Sequence, residues 1–166
     1  LDPHSDVLGI LPHIPQSEFV MVAHEEFKIW DVWTITIIPD NGATKKALKW
    51  SQGMNVVQAH KIRNTANGEL SGFGIDRNYL DNRRCLIVDD ICDGGGTFIG
   101  LADLLKSKGA GPLTLVVSHG LFTKGTEELL KRYDRIITTA KVDRKNENEN
   151  IHTISYAKLY QRGVFQ

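Results

Sequence analysis

The sequence predicts an α/β fold with a mostly parallel, twisted sheet flanked by helices. Short β-rich segments alternate with helical ones along the chain, which is the pattern of βαβ units. Several strand segments are almost continuously apolar, as expected for strands that helices cover on both faces. The length of 166 residues suits one domain whose core needs neither a metal nor a disulfide. We therefore expect a single domain over residues 1–166.

The predicted strands concentrate β-branched and other apolar residues and are bounded by turn-forming or charged residues. They cover residues 20–23, 33–38, 55–59, 85–88, 113–118, 135–139 and 151–155. Predicted helices lie between them, over residues 43–52, 97–108 and 124–133. The first helix follows a turn, and the second carries an apolar stripe and ends before Gly109, a common helix stop.

Residues 61–82 and 141–150 are polar and are predicted to be irregular. The first stretch is rich in glycine and is far longer than the usual connection of about five residues. Such a loop is usually a lid or a disordered excursion, and both readings remain open here. The second stretch alternates charged residues with asparagine, which predicts a solvated loop before the last strand.

Composition limits the possible partners. Lysine and arginine number 20 and aspartate and glutamate also number 20, which argues against a nucleic-acid-binding face. No apolar run approaches the roughly 20 residues that span a bilayer. We therefore expect a soluble, cytoplasmic protein that binds neither nucleic acid nor membrane.

Cys85 and Cys92 lack the pattern of a disulfide framework or a zinc site. We expect Cys85 to be a small buried apolar residue and Cys92 to be an incidental residue of a loop.

The strongest chemical signal lies in residues 85–97, which read Cys-Leu-Ile-Val-Asp-Asp-Ile-Cys-Asp-Gly-Gly-Gly-Thr. Consecutive glycines allow positive φ and let the backbone N–H groups approach a ligand closely. The helix N-terminus that follows favours an anion, above all a phosphate. Thr97 would add a helix cap and a hydroxyl donor. The segment therefore predicts a phosphate-binding turn.

Asp89 and Asp90 end the strand before this turn, where ligands of open α/β sheets bind. Carboxylates repel phosphate, but they accept hydrogen bonds from sugar hydroxyls and can hold Mg²⁺. An acidic pair beside an anion-binding turn predicts a phosphorylated, polyhydroxylated ligand such as a sugar phosphate. The alternative that the segment is only an aspartate-rich turn capping a helix remains open.

Other motifs are incomplete. The stretch 120–126 begins with the spacing of a P-loop, but Thr126 stands where the lysine is required. Ile99 occupies the last glycine position of a dinucleotide-binding pattern, and the sequence after His24 lacks the second histidine of a metalloprotease helix.

The segment 85–97 closely resembles the phosphoribosyl pyrophosphate (PRPP) binding loop of the type I phosphoribosyltransferases. That loop consists of an apolar strand, two acidic residues, two variable positions, Asp, two small residues, Gly and Thr. The small pair in this chain is Gly94-Gly95. The resemblance implies a type I phosphoribosyltransferase-like fold.

Further segments resemble the later half of the ribose-phosphate diphosphokinases, the PRPP synthetases, and they follow the same order along nearly all 166 residues. Residues 2–6 resemble the Asp-Leu-His segment of that family, residues 38–42 resemble its Pro-Asp-x-Gly turn, and residues 45–46 resemble the basic helix after that turn. Residues 59–63 resemble its Lys-x-Arg loop, and residues 118–122 resemble its Thr-His-Gly-Val-Phe stretch. The first domain of that family has no counterpart, so residues 1–32 could be the end of such a domain.

The resemblance implies transfer of a diphosphoryl group from MgATP to ribose 5-phosphate, which makes PRPP for nucleotide biosynthesis. His4 and Asp40 would hold Mg²⁺ on ATP, and Lys61 and Arg63 would close over the reacting phosphates. The remaining implied residues bind the sugar: Asp89 and Asp90 its hydroxyls, and Asp93, Gly94, Gly95, Gly96 and Thr97 its 5-phosphate. The family's mode of assembly also implies a homo-oligomer.

Two alternatives remain open at this point. The chain could be a transferase that consumes PRPP to ribosylate a base, with the segment before Trp33 covering the base. It could also be a non-catalytic assembly partner of a synthetase, although the retained Lys61, Arg63, Asp89 and Asp90 argue against that. Without the first domain of the family, we expect the isolated chain to have little diphosphokinase activity.

Overall fold

The computed structural model describes residues 15–39, 47, 50–51, 53–63, 70–139 and 148–161. The strands are β1 (Ile35–Ile38), β2 (Asn55–Arg63), β3 (Leu70–Ile75), β4 (Cys85–Cys92), β5 (Leu113–Gly120), β6 (Arg135–Thr138) and β7 (Ile151–Thr153). The helices whose ends lie within the described residues are α1 (Gln16–Phe27), α2 (Gly96–Ser107), α3 (Glu127–Leu130) and α4 (Tyr156–Gln161).

The strands form one seven-stranded sheet with the order β3-β2-β1-β4-β5-β6-β7. Every neighbouring pair is parallel except β2 and β3, which are antiparallel. The predicted α/β class and the mostly parallel sheet are therefore confirmed. The strand order reverses between β1 and β4, which gives the sheet a topological switch point in its middle.

Helices cover both faces of the sheet, as the apolar strands require. On the α2 face, Leu101 and Leu105 pack with Ile87 and Leu115 in a cluster of buried residues. On the α1 face, a second cluster joins α1 to the alternate residues of the same strands. No helix in the described part of the chain has both the length and the hydrophobicity that a bilayer span requires.

The prediction of a strand over residues 20–23 is wrong, because these residues lie inside α1. Gln16, Phe19, Val20 and Ala23 are buried on one side of this helix. Their spacing of three and four residues is the helical period. The apolar run of Val20 and its neighbours hid this wider pattern, which includes the buried polar Gln16.

The prediction of a loop over residues 61–82 is also wrong in part. β2 continues to Arg63, and Leu70–Ile75 pairs with it as the antiparallel strand β3, so that residues 61–63 and 70–75 of the predicted loop are strands. Residues 64–69 lie outside the described residues. Glycines in β3 suggested a loop, but at Gly74 the missing side chain makes room for the ring of His60 from the opposite strand.

Other predicted elements differ in extent. The helix predicted over 124–133 is limited to Glu127–Leu130, while α2 lies within one residue of its predicted bounds. Most of the helix predicted over 43–52 and most of the loop predicted over 141–150 lie outside the described residues. Cys92, expected in a loop, is instead the buried last residue of β4, because the strand continues past the acidic pair.

Candidate functional site

The candidate site lies at the switch point, where the carboxyl ends of β1 and β4 are adjacent. Ligands of open α/β sheets bind in the crevice that forms at such a point. Ile35 pairs with Cys85 and Ile37 with Ile87, so that the last residue of β1, Ile38, is level with Val88. Asp89 and Asp90 are therefore the first residues of β4 beyond the end of its neighbour.

Asp89 and Asp90 are both partly buried and belong to opposite faces of the strand. Ile87 belongs to the cluster on the α2 face and Val88 to the cluster on the α1 face, so alternation assigns Asp89 to the first face and Asp90 to the second. The Asp90 N–H donates a hydrogen bond to Asp89 Oδ1 at 2.8 Å. A ligand above the end of the strand can thus contact carboxylates from both sides.

The glycine-rich turn carries the chain from β4 into α2. Gly95 is the N-cap residue of α2 and has a φ of +77°, a conformation that glycine adopts without strain. No side chain caps the helix, and its first turn contains no acidic residue. A Cβ added to Gly96 would meet no atom within 4 Å. The side of Gly96 at the N-terminus of α2 is therefore open, which the approach of an anion to the first turn of the helix requires.

The expectation that Thr97 caps the helix is wrong. α2 begins at Gly96, so Thr97 lies inside the first turn and Gly95 takes the cap position. The helix starts one residue early because glycine at position 95 allows the left-handed turn there. A hydrogen bond from the core holds this first turn in place, because the buried Tyr133 hydroxyl donates to the carbonyl oxygen of Phe98 at 2.8 Å.

Asp93 connects the turn to the loop after β5. The Thr123 hydroxyl donates to Asp93 Oδ1 at 2.7 Å, and the Thr123 N–H donates to the Asp93 carbonyl oxygen at 3.2 Å. The next residue, Lys124, lies against Gly94, where a Cβ would be 3.3 Å from the lysine Cδ. Residues 121–126 thus form one side of the glycine-rich turn.

Lys61 lies on the β2–β3 hairpin, which extends past the carboxyl edge of the sheet. The last residue of β2 that pairs with β1 is Gln58, so Lys61 is about 10 Å beyond that edge. Lys61 pairs with Phe73 on β3, and opposite residues in an antiparallel pair share a face. A Cβ on Gly100 of α2 would lie 2.6 Å from Phe73 Cε2, so this face of the hairpin is turned toward α2.

Three of the predicted site residues lie wholly or partly outside what the structure describes. Arg63 ends β2, next to an irregularity in the pairing between Ile62 and Arg63, and its side chain is outside the described set. His4 and Asp40 also lie outside the described residues. Within the residues that are described, no group of three or more His, Cys, Asp or Glu side chains is placed to bind a metal ion.

Neither cysteine has the properties of a nucleophile. Burial, followed by the nearby Asp89 and Asp93 carboxylates, raises the pKa of the Cys92 thiol to about 12. Burial raises the pKa of the Cys85 thiol to about 11. Both side chains are protonated at neutral pH and therefore contribute packing.

Sequence reasoning missed Thr123 and Lys124. Both lie in the stretch 120–126, which the sequence presents only as an incomplete P-loop. The signal that was available is their position just after β5, because the carboxyl ends of parallel neighbours meet at one edge of a sheet.

Comparison with known proteins identifies relatives of this chain. A family model described as "Phosphoribosyl transferase domain" matches residues 44–153. A ribose-phosphate pyrophosphokinase of Mycoplasmopsis pulmonis is 34% identical over 130 residues, which are 74% of this chain and 39% of that protein. Another from Ureaplasma parvum is 32% identical over 140 residues, which are 81% of this chain and 42% of that protein. The chain thus spans about two-fifths of the length of these curated relatives.

A solved structure supports the fold. The phosphoribosylpyrophosphate synthetase of Mycobacterium smegmatis matches with a TM-score of 0.72 and 20% identity, over 89% of this chain and 49% of that chain. This likeness confirms the predicted type I phosphoribosyltransferase-like fold. Since the family model covers more than half of its residues, the chain belongs to the phosphoribosyl transferase domain family.

Proposed function

We propose that this chain binds ribose 5-phosphate and PRPP together with Mg²⁺, and that its site serves the ribose-phosphate pyrophosphokinase reaction. The observation that carries the proposal is the adjacency of Asp89 and Asp90 at the switch point to the uncapped N-terminus of α2. One part of this arrangement suits alcohols or a metal ion, and the other suits a phosphate. The names of the curated relatives agree with this reaction.

The 5-phosphate would lie at the N-terminus of α2. Backbone N–H groups there point away from the helix and carry its positive partial charge. Gly95 supports the turn with its positive φ, and the open space at Gly96 allows an anion to approach the backbone. The Thr97 hydroxyl would donate a further hydrogen bond, and Asp93 would hold the turn through its hydrogen bond with Thr123.

The ribose hydroxyls would donate hydrogen bonds to Asp89 and Asp90. The same oxygen atoms suit Mg²⁺, which proteins usually hold through one or two carboxylates together with substrate phosphates. When bound, Mg²⁺ would neutralise charge on the transferring phosphates. We assign His4 and Asp40 to the same ion on the ATP side, as the family resemblance implies.

Lys61 and Arg63 would act on the diphosphoryl group during its transfer. The anomeric hydroxyl of ribose 5-phosphate attacks the β-phosphorus of ATP, the bond to the α-phosphate oxygen breaks, and AMP leaves as the hydroxyl loses its proton. Such a reaction depends on positioning and on stabilisation of charge. Cations on a hairpin that extends over the edge of the sheet suit this task, because closure of the hairpin would also exclude water.

Isothermal titration of the chain with PRPP tests the proposal. We expect Mg²⁺-dependent binding, and we expect the double substitution Asp89→Asn and Asp90→Asn to weaken it at least tenfold, because amides neither attract the metal nor accept as strongly from hydroxyls. Asp103→Asn is the matched control, since Asp103 bonds to Arg132 on the outer surface of α2. Equal affinity of the double variant and the unsubstituted chain would refute the proposal.

A transferase that consumes PRPP receives less support. That alternative uses the segment before Trp33 to cover the base, but the described part of this segment, α1, is packed against the face of the sheet. An assay with PRPP and free purine or pyrimidine bases distinguishes the two functions. Nucleotide formation would favour the transferase, and its absence together with PRPP binding would favour the pyrophosphokinase site.

A further inference from the structure

The loop after β5 is fixed against the glycine-rich turn by backbone and side-chain hydrogen bonds. The Leu121 and Phe122 N–H groups both donate to the Cys92 carbonyl oxygen, at 2.8 and 3.2 Å. The Thr123 hydroxyl and N–H donate to Asp93. The position of Lys124, the next residue, is therefore set by the turn itself.

The Lys124 side chain runs along the turn. A Cβ placed on Gly94 would lie 3.3 Å from Lys124 Cδ, 3.4 Å from Cε and 3.5 Å from Cγ. Cγ, Cδ and Cε of Lys124 therefore lie along the side of the turn that the missing Gly94 side chain leaves open. A side chain at position 94 would meet the lysine at less than ordinary contact distance.

Within the described residues, Lys124 forms no ion pair, unlike Lys131 and Lys158. It is also placed unfavourably for an apo protein, since a cation near the N-terminus of a helix is repelled by the helix dipole. The first turn of α2 itself has no acidic residue, and the Asp93 carboxylate just before the turn already accepts a hydrogen bond from Thr123. An anion bound at the turn would attract both the N-terminus of α2 and the Lys124 ammonium, so that the lysine would then be in a favourable position.

We propose that Lys124 binds the phosphate of the sugar phosphate, with its ammonium group supplying a charge-assisted hydrogen bond beside the α2 N–H groups. This inference rests on the proposed function, because it assigns one more residue to the same phosphate site. Gly94 is then the residue that admits Lys124, and the two act as a pair. Arginine at position 124 would retain the charge, whereas methionine would retain only the packing against Gly94.

Titration of ribose 5-phosphate in the presence of Mg²⁺ tests the inference, with Lys124→Met, Lys124→Arg and Lys131→Met compared with the unsubstituted chain. We expect Lys124→Met to raise Kd about tenfold and Lys124→Arg to restore most of the affinity. Lys131→Met removes the same charge from a lysine that pairs with Glu128, and we expect it to change Kd less than twofold.

Salt dependence separates charge from packing. The ammonium is exposed, so its attraction to a phosphate is screened by salt. The tenfold difference in Kd between the unsubstituted chain and Lys124→Met should fall to about twofold when NaCl is raised from roughly 0.02 M to 0.5 M. Unchanged Kd in Lys124→Met, or a loss that arginine does not restore, would overturn the role of Lys124 and leave the proposed function intact. Failure of the unsubstituted chain to bind ribose 5-phosphate would overturn both.

Discussion

Gly95 turns the chain out of β4 and into α2, and its backbone has a φ of +77°. An added Cβ would make contacts of 3.4 Å with Leu129, which is close to ordinary packing. The cost of a side chain at this position would therefore come from the backbone, because residues with a Cβ are strained at positive φ. The shape of the glycine-rich turn therefore depends on this one residue.

Gly95→Ala should lower the free energy of unfolding by about 1–2 kcal/mol, because alanine strains the left-handed conformation that glycine adopts freely. Gly96→Ala is the matched control. It adds the same methyl group to the next residue, where a Cβ meets no atom within 4 Å, and alanine favours the helix that begins there. Urea unfolding of both variants measures the difference, and equal stability would show that the turn does not require glycine at position 95.

The residues of the turn could be predicted from the sequence because they are contiguous. Asp89, Asp90 and the glycines follow one strand directly, so their chemistry is visible in a single segment. Lys124 could not be found in this way, since its contact with Gly94 depends on how the loop after β5 folds back onto the turn. Local pattern identifies a motif, whereas residues that complete it from another loop depend on tertiary packing.

At the scale of the elements, the β2–β3 hairpin carries Lys61 and Arg63, the two cations that we propose act on the diphosphoryl group. Its strands pair with each other only over residues that lie beyond the end of β1. Opposite Lys61 is Phe73, which contacts α2, and opposite His60 is Gly74. His60 Nδ1 also lies 3.8 Å from Asp76 Oδ1. The Phe73 contact therefore positions the hairpin against α2, and the His60 contacts join its two strands.

Gly74→Ala should destabilise this hairpin by about 0.5–1 kcal/mol, because its Cβ would lie 2.2 Å from His60 Nε2 and the exposed ring would have to leave its present rotamer. Gly72→Ala, on the same strand, adds a methyl group where nothing lies within 4 Å. Amide hydrogen exchange of the hairpin should therefore accelerate in the first variant much more than in the second. Combining Gly74→Ala with His60→Ala should remove most of the difference, and persistence of the full effect would contradict the contact.

The elements that sequence reasoning misassigned are those whose pattern was hidden by composition. α1 contains a short apolar run that resembles a strand, and its helical period appears only when the buried Gln16 is included. β3 contains Gly72 and Gly74, which favour a loop in isolation, but pairing with β2 makes it a strand. The core strands were predicted correctly because burial on both faces makes them apolar throughout.

At the scale of the whole molecule, one sheet brings distant segments to a single edge. The switch point between β1 and β4 positions the acidic pair, and the loops after β4 and β5 meet beside it. The hairpin approaches the same edge from the side of α2. The topology of the sheet therefore explains why residues from three separate parts of the chain can act on one ligand.

Because the chain spans about two-fifths of the length of its curated relatives, we expect the 166-residue protein to bind sugar phosphate but to form little AMP from ATP and ribose 5-phosphate. In the site that we propose, binding uses the turn, the acidic pair and Lys124, whereas transfer would also require an ordered ATP. A coupled assay for AMP measures this. Robust turnover by the chain alone would show that its own residues complete the ATP site.

The most direct test of the account is a crystal structure of the chain with ribose 5-phosphate and Mg²⁺. The account predicts the phosphate at the N–H groups of residues 94–97, with Lys124 Nζ within hydrogen-bond distance, and the ribose hydroxyls at Asp89 and Asp90. A ligand bound elsewhere, or a turn that stays empty while its carboxylates point into the protein, would contradict it.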